Sequence, residues 1–149
     1  MSIAAECDQL EAIPLLRNLD PAKRKLIAMS SDNLTYTNGD AVFRQGEAAD
    51  AVYFLLSGSV RVFKDTETHA LELAHLKEPA VIGETGVICG RTRNASVIAT
   101  SETRMLRIDS RVFIELLEQV PDFSVALVRE LAARVEATNQ RLLDQHSQS

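Results

Sequence analysis

The stretch Asn38-Gly39-Asp40-Ala41-Val42-Phe43-Arg44-Gln45-Gly46-Glu47-Ala48-Ala49-Asp50-Ala51-Val52-Tyr53-Phe54-Leu55-Leu56-Ser57-Gly58-Ser59-Val60-Arg61-Val62-Phe63 decides the fold class of the chain. Its short apolar runs are cut by Asn38-Gly39-Asp40, Gln45-Gly46-Glu47 and Ser57-Gly58-Ser59, which is the turn spacing of an antiparallel barrel or sandwich. Strands are predicted near 41–44, 51–57 and 59–64, and another near 69–76. Partial alternation over Val60-Arg61-Val62-Phe63, and again over Ser96-Val97-Ile98-Ala99, marks walls with one buried face.

On either side of this region the pattern turns helical. All six glycines lie between Gly39 and Gly90, and Pro21 and Pro121 stand where helices can start. Asp20 is placed to cap a helix with Pro21 at its first position, where the missing N–H costs nothing, and Leu26, Ile27 and Met29 supply its apolar face. From Asp109 onward Val112, Phe113, Leu116 and Leu117 fall on one helical face. After Pro121 a longer helix places Val128, Leu131, Val135, Thr138 and Leu142 at alternating spacings of three and four, the seam of a coiled coil. This seam predicts a partner helix; packing of the same face on the chain's own roll is the alternative. The tail after Gln145 is expected to be disordered.

The chain's 149 residues suffice for one domain of ordinary size with its own core. Sixteen Lys and Arg against 21 Asp and Glu give a net charge of −5, the wrong sign for holding nucleic acid through its phosphates. Direct nucleic-acid binding is therefore not expected. Cys7 and Cys89 are too few for a thiolate cluster and suit a reducing compartment. Residues 1–12 carry Glu6, Asp8 and Glu11 where a signal peptide would be basic, and no apolar run approaches the roughly 18–20 residues that span a bilayer. The expectation is a cytoplasmic protein that is neither exported nor membrane-bound.

The residues that could carry chemistry narrow the function classes further. His69, His75 and His146 lack the spacings of metal ligands, so no metal site is expected. No G-x-S-x-G element is present, Cys89 reads as a small buried thiol, and no catalytic residue is expected. The run Gly83-Glu84-Thr85-Gly86-Val87-Ile88-Cys89-Gly90-Arg91-Thr92 resembles a triphosphate-binding loop only at its end. Gly86 lies one position too near, and arginine replaces the required lysine. An anion site in outline remains: glycines that admit a ligand to the backbone, a short helix over 84–89, and Arg93 as a bidentate donor. A surface turn with a solvated arginine is the plainer alternative.

Three runs in order are similar to the successive motifs of cyclic-nucleotide-binding domains. They are Gly39 to Glu47, Val52 to Val62, and Gly83-Glu84-Thr85-Gly86 with Arg93-Asn94-Ala95-Ser96-Val97. The resemblance implies an α+β fold: an antiparallel, jelly-roll-like β-roll of about eight strands, an N-terminal helical segment and two C-terminal helices. It implies one domain over 1–149, with the roll at about 31–108 and the C-terminal helices at about 109–145. It also implies a phosphate-binding cassette of Gly83, Glu84, Thr85, Arg93, Asn94 and Ala95, with Arg93 on the phosphate and Glu84 accepting from the ribose 2′-hydroxyl. The family usually has serine or threonine where Asn94 stands, which leaves affinity and ligand choice open.

The long helix is similar to that of the family's catabolite-activator branch over Leu131 to Arg141. By that likeness Arg134 pairs with Glu84, and Thr138 and Asn139, one from each subunit, meet the purine. The expected ligand is cyclic AMP, with cyclic GMP as the alternative, and no cofactor is expected. The function implied is a stand-alone, non-enzymatic receptor, a homodimer through its C-terminal helix, that signals to an unidentified effector protein. A degenerate module with an empty pocket that serves as an interaction scaffold, and the sensory half of a transcription factor, are the other readings.

Overall fold

The computed structural model describes Leu10, residues 13–17 and residues 19–147. A helical turn α1 (Pro14–Arg17) and α2 (Pro21–Ser30) lead into eight strands: β1 (Ser31–Tyr36), β2 (Ala41–Phe43), β3 (Ala51–Ser57), β4 (Ser59–Asp65), β5 (Ala70–Lys77), β6 (Ala80–Ile82), β7 (Ser96–Ala99) and β8 (Thr103–Asp109). Between β6 and β7 lies α3 (Glu84–Cys89); α4 (Ser110–Gln119) and α5 (Pro121–Ser147) follow the last strand. The strands form two four-stranded antiparallel sheets, ordered β1-β8-β3-β6 and β2-β7-β4-β5. This is the expected antiparallel roll with flanking helices.

The unbroken apolar run of β3 is explained by burial on both faces. Val52 and Phe54 point into a cluster with Leu106, Ile108, Phe113, Phe123 and Leu127 beneath the helices. The alternate residues Ala51, Tyr53 and Leu55 point into a second cluster inside the roll, with Val60, Val97 and Met105. A strand that serves two cores loses the polar alternation of a one-sided strand.

At the β3–β4 turn Gly58 adopts φ +97°, and a Cβ there would come within 2.5 Å of the Glu102 carbonyl oxygen. The predicted turn at Ser57-Gly58-Ser59 thus depends on glycine for both conformation and space. β1, β6 and β8 lie outside the individually predicted strands, although the resemblance implied about eight in all.

Asp20 caps α2 as the sequence reading places it, and Asp109, not singled out as a cap, does the same for α4. The Asp20 carboxylate accepts from the Ala22 N–H at 2.8 Å, and Asp109 accepts from that of Arg111 at 2.8 Å. Phe113 and Phe123 meet edge to face at 5.8 Å and join α4 to α5, and the Ser124 hydroxyl donates to the Leu117 carbonyl. Only Phe123 and Leu127 of α5 are buried.

Every residue from Val135 to Ser147 is exposed, so this part of the helix does not cover its own roll. Of the predicted seam, Leu131 packs partly against the core, while Val128, Val135 and Leu142 are 64%, 59% and 58% exposed. One expectation is corrected in part: the helix continues past Gln145 to Ser147, because its backbone ladder is local and needs no tertiary contact, and the rest of the tail expected to be disordered lies outside the described residues. Among the described residues no helix is long and apolar enough to cross a membrane.

Candidate functional site

A cavity of about 210 Å³ opens where α3, the segment leading into β7 and α5 converge on the β4–β5 wall. Its polar lining comes from Gly83, Glu84, Thr85, Arg93, Asn94 and Arg134, and its apolar lining from Phe43, Val62, Leu76, Ala95 and Val97 among others. A few convergent polar groups in a mainly apolar cleft are the usual make-up of a small-molecule site.

Arg93 is the best-anchored of these residues. It is 4% exposed, its Nη1 donates to the Gly83 carbonyl at 2.7 Å, and its Nη2 donates to the Ala51 carbonyl at 2.6 Å. Its guanidinium carbon lies 4.0 Å from the centre of the Phe43 ring, a cation–π stack that fixes the plane of the group. The Nε is buried without a hydrogen-bond partner, an unmet donor in the cavity wall. Burial pulls the guanidinium below the ordinary arginine value, yet it stays protonated at neutral pH.

The Gly46-Glu47 turn holds the backbone of the same residue. The Arg93 N–H donates to the Glu47 carbonyl, and the Gly46 N–H donates to that of Arg93, both at 2.8 Å. Two sequence motifs more than 40 residues apart thus form one structural unit.

Gly83 makes room for this arrangement. It adopts φ +83°, and a Cβ would lie 2.6 Å from Arg93 Nη1 and 3.1 Å from the Phe43 ring. The arginine cannot yield without giving up its bonds to Gly83 and Ala51. Gly83→Ala is therefore expected to cost about 1–2 kcal/mol in backbone strain and to weaken anion binding at least tenfold by displacing Arg93. Thermal unfolding and calorimetry on the variant test this; wild-type affinity would show that Arg93 can move freely.

Glu84, the first residue of α3, is 4% exposed. Its Oε1 accepts from Arg134 Nη1 at 2.9 Å across 50 residues of sequence, and Arg134 Nη2 donates to the Val81 carbonyl at 2.7 Å. Burial raises the Glu84 carboxyl above its ordinary value, and the Arg134 charge opposes the rise. The arrangement can hold an anion beside Arg93 and offers a hydroxyl donor the carboxylate of Glu84.

Seven of the nine predicted site residues line this cavity: Gly83, Glu84, Thr85, Arg93, Asn94, Ala95 and Arg134. Thr138 and Asn139 do not; they lie exposed on α5, about a turn beyond Arg134. Phe43, Val62, Ala74, Leu76 and Val97 escaped the sequence reading as site residues, although Phe43, Val62 and Val97 lay inside quoted motifs. Cys89 corrects another expectation, since it is exposed. α3 buries only Glu84 and Val87, and position 89 falls off that face.

Fold and site together define a cyclic-nucleotide-binding domain. Residues 33–120 match the family described as "Cyclic nucleotide-binding domain", and the chain belongs to it.

The cAMP-dependent protein kinase type II regulatory subunit of Drosophila melanogaster is 28% identical over 141 residues, 89% of this chain and 37% of the relative. The cAMP-activated global transcriptional regulator CRP of Salmonella typhimurium is 30% identical over 109 residues, 72% of this chain and 52% of the relative. The crystal structure of the Thermus thermophilus catabolite activator protein superposes with a TM-score of 0.72 at 27% identity, covering 87% of this chain and 61% of that one. The chain thus spans between about a third and a half of the length of these curated relatives, which are regulatory proteins.

Proposed function

We propose that this domain is a receptor for cyclic AMP that pairs with a second copy through α5 and passes the binding event to an effector protein. The observation that carries the reading is the convergence of Arg93, Glu84 and Arg134 on one cavity, with Arg93 Nε unpaired. A cyclic monophosphate carries a single negative charge, so one arginine with nearby backbone N–H groups can neutralise it without a metal ion. A hydrogen bond to a charged group contributes roughly 1.5–3 kcal/mol, which makes the phosphate contact the largest polar contribution. The Glu84 carboxylate accepts from the ribose 2′-hydroxyl, and the Arg134 charge favours its ionised form against the effect of burial. The names of the kinase and CRP relatives, both cAMP-dependent or cAMP-activated, support the choice of nucleotide.

In this reading Thr138 and Asn139 complete the pocket from the long helices, one from each subunit. The Thr138 hydroxyl can accept from the exocyclic amine of adenine, whereas guanine presents a carbonyl at the same place. Ligand contacts made in only one arrangement of the helices would shift their equilibrium, which makes α5 the switch.

Calorimetric titration with cyclic AMP and cyclic GMP tests the reading, and a wild-type protein that binds neither overturns it. A single neutral hydrogen bond contributes about 0.5–1.5 kcal/mol, so Thr138→Ala should reduce the preference for cyclic AMP by at most about tenfold and spare phosphate binding. An unchanged ratio of affinities would leave Thr138 as a seam residue only.

A further inference from the structure

Arg134 faces two carboxylates. Its Nη1 donates to Glu84 at 2.9 Å, and its Nη2 lies 3.5 Å from Oε1 of Glu130, one turn earlier on α5. Glu84 and Arg134 line the nucleotide cavity. Glu130 instead lines a second cavity of about 220 Å³, bounded by Pro14, Leu15, Pro79 and Ala126, and Val81 belongs to both walls. A single guanidinium thus stands between two cavities with a carboxylate on each side.

We propose that Glu130 is a positioning residue of the nucleotide pocket, sharing the Arg134 guanidinium with Glu84 and so setting the charge that an anionic ligand meets. This rests on the function proposed above.

The charged groups facing Glu84 are Arg134, Glu130 and Arg93, and the one facing Glu130 is Arg134. The other elements lining the second cavity contribute apolar side chains there. Two carboxylates and two guanidiniums leave this corner neutral, so a cyclic monophosphate brings it to −1. With glutamine at 130 the same ligand would bring it to neutrality.

The Glu130 side chain is 32% exposed, and its charge is only partly screened by water. Burial raises both carboxyls, Arg134 lowers both, and the Glu130 charge raises Glu84 further. An ordinary pair one turn apart on a helix surface would stabilise α5 without touching Glu84. That difference makes the proposal testable.

The experiment follows the Glu84 carboxyl carbon by NMR across pH in the ligand-free protein. It also measures binding of cyclic AMP and 2′-deoxy cyclic AMP by calorimetry, for wild type, Glu130→Gln and Glu130→Ala. The expected result is a Glu84 midpoint lower by about half a pH unit or more in both variants. Both ligands should bind roughly two- to fivefold tighter, less so at high salt, because the gain acts on charge and not on the ribose contact. A midpoint that stays put in the folded variants overturns the sharing, and a shifted midpoint with unchanged affinities overturns its role in the pocket. If wild type binds no cyclic nucleotide, the proposed function falls, and the ligand-free titration still decides whether Arg134 is shared.

Discussion

Arg93→Ala is expected to raise the dissociation constant for cyclic AMP at least tenfold, about 1.4 kcal/mol, and to destabilise the fold as well. The sequence alone presents Arg93 only as a donor to the ligand's phosphate. Its side chain also donates to the carbonyls of Gly83 and Ala51, and it stacks on Phe43. Deleting it leaves buried acceptors without donors, each costing about 1–3 kcal/mol before any rearrangement or water entry. A fall in melting temperature should therefore accompany the loss of affinity. Arg93→Lys keeps the charge but lacks the planar fork, so it should recover part of the phosphate affinity and little of the stability. Calorimetry and thermal unfolding on both variants supply the check; a folded Arg93→Ala protein with wild-type affinity would remove this residue from the site.

The second large effect concerns assembly. Val135→Glu combined with Leu142→Glu is expected to convert the proposed dimer to a monomer that unfolds at nearly the wild-type temperature. Both positions lie on the part of α5 where every residue is exposed within one protomer, so the changes disturb little internal packing. Leu131 is a poorer probe, because it packs partly against the core and its replacement would mix folding with assembly. Across a paired helix, facing glutamates would bring like charges into a seam that otherwise buries valine and leucine. Sedimentation equilibrium of wild type and variant measures the outcome. A wild-type protein that remains monomeric at high concentration would refute pairing through α5 and leave the exposed seam without a second copy.

Five strands could be read directly because β2, β3, β4, β5 and β7 are apolar runs or alternations framed by turn residues. β1 was not, because Ser31-Asp32-Asn33 is polar and its strand pairs on one side only, at the edge beside β8. β8 is interrupted by Arg104 and Arg107, and the charge of Arg107 lies 3.7 Å from Asp32 and 3.5 Å from Asp50. β6 spans only three residues, as β2 does, but it lacks the glycine-containing turn on each side that frames β2.

The cassette was legible because Gly83-Glu84 and Arg93-Asn94-Ala95 are close in sequence and follow a family pattern. Phe43 beneath Arg93 and Glu130 beside Arg134 were not, since stacking and charge sharing depend on side-chain positions that no spacing rule encodes. Cys89 was misjudged for a related reason: a small apolar residue type carries no sign of which helix face will be covered.

By itself, the sequence determined the antiparallel class, the Asp20 cap, the heptad spacing and the family motifs, all of which depend on periodicity, turn chemistry or short-range spacing. Tertiary structure alone decided which core each face of β3 enters, that Arg93 braces the wall it was expected only to line, and that Arg134 lies between Glu84 and Glu130. It also decided that α5 leaves the roll after Arg134 with its apolar face open. These outcomes arise from contacts between residues distant in sequence, Arg134 with Glu84 and Val81 being 50 and 53 positions apart, where packing space and shared charge, not local preference, set the arrangement.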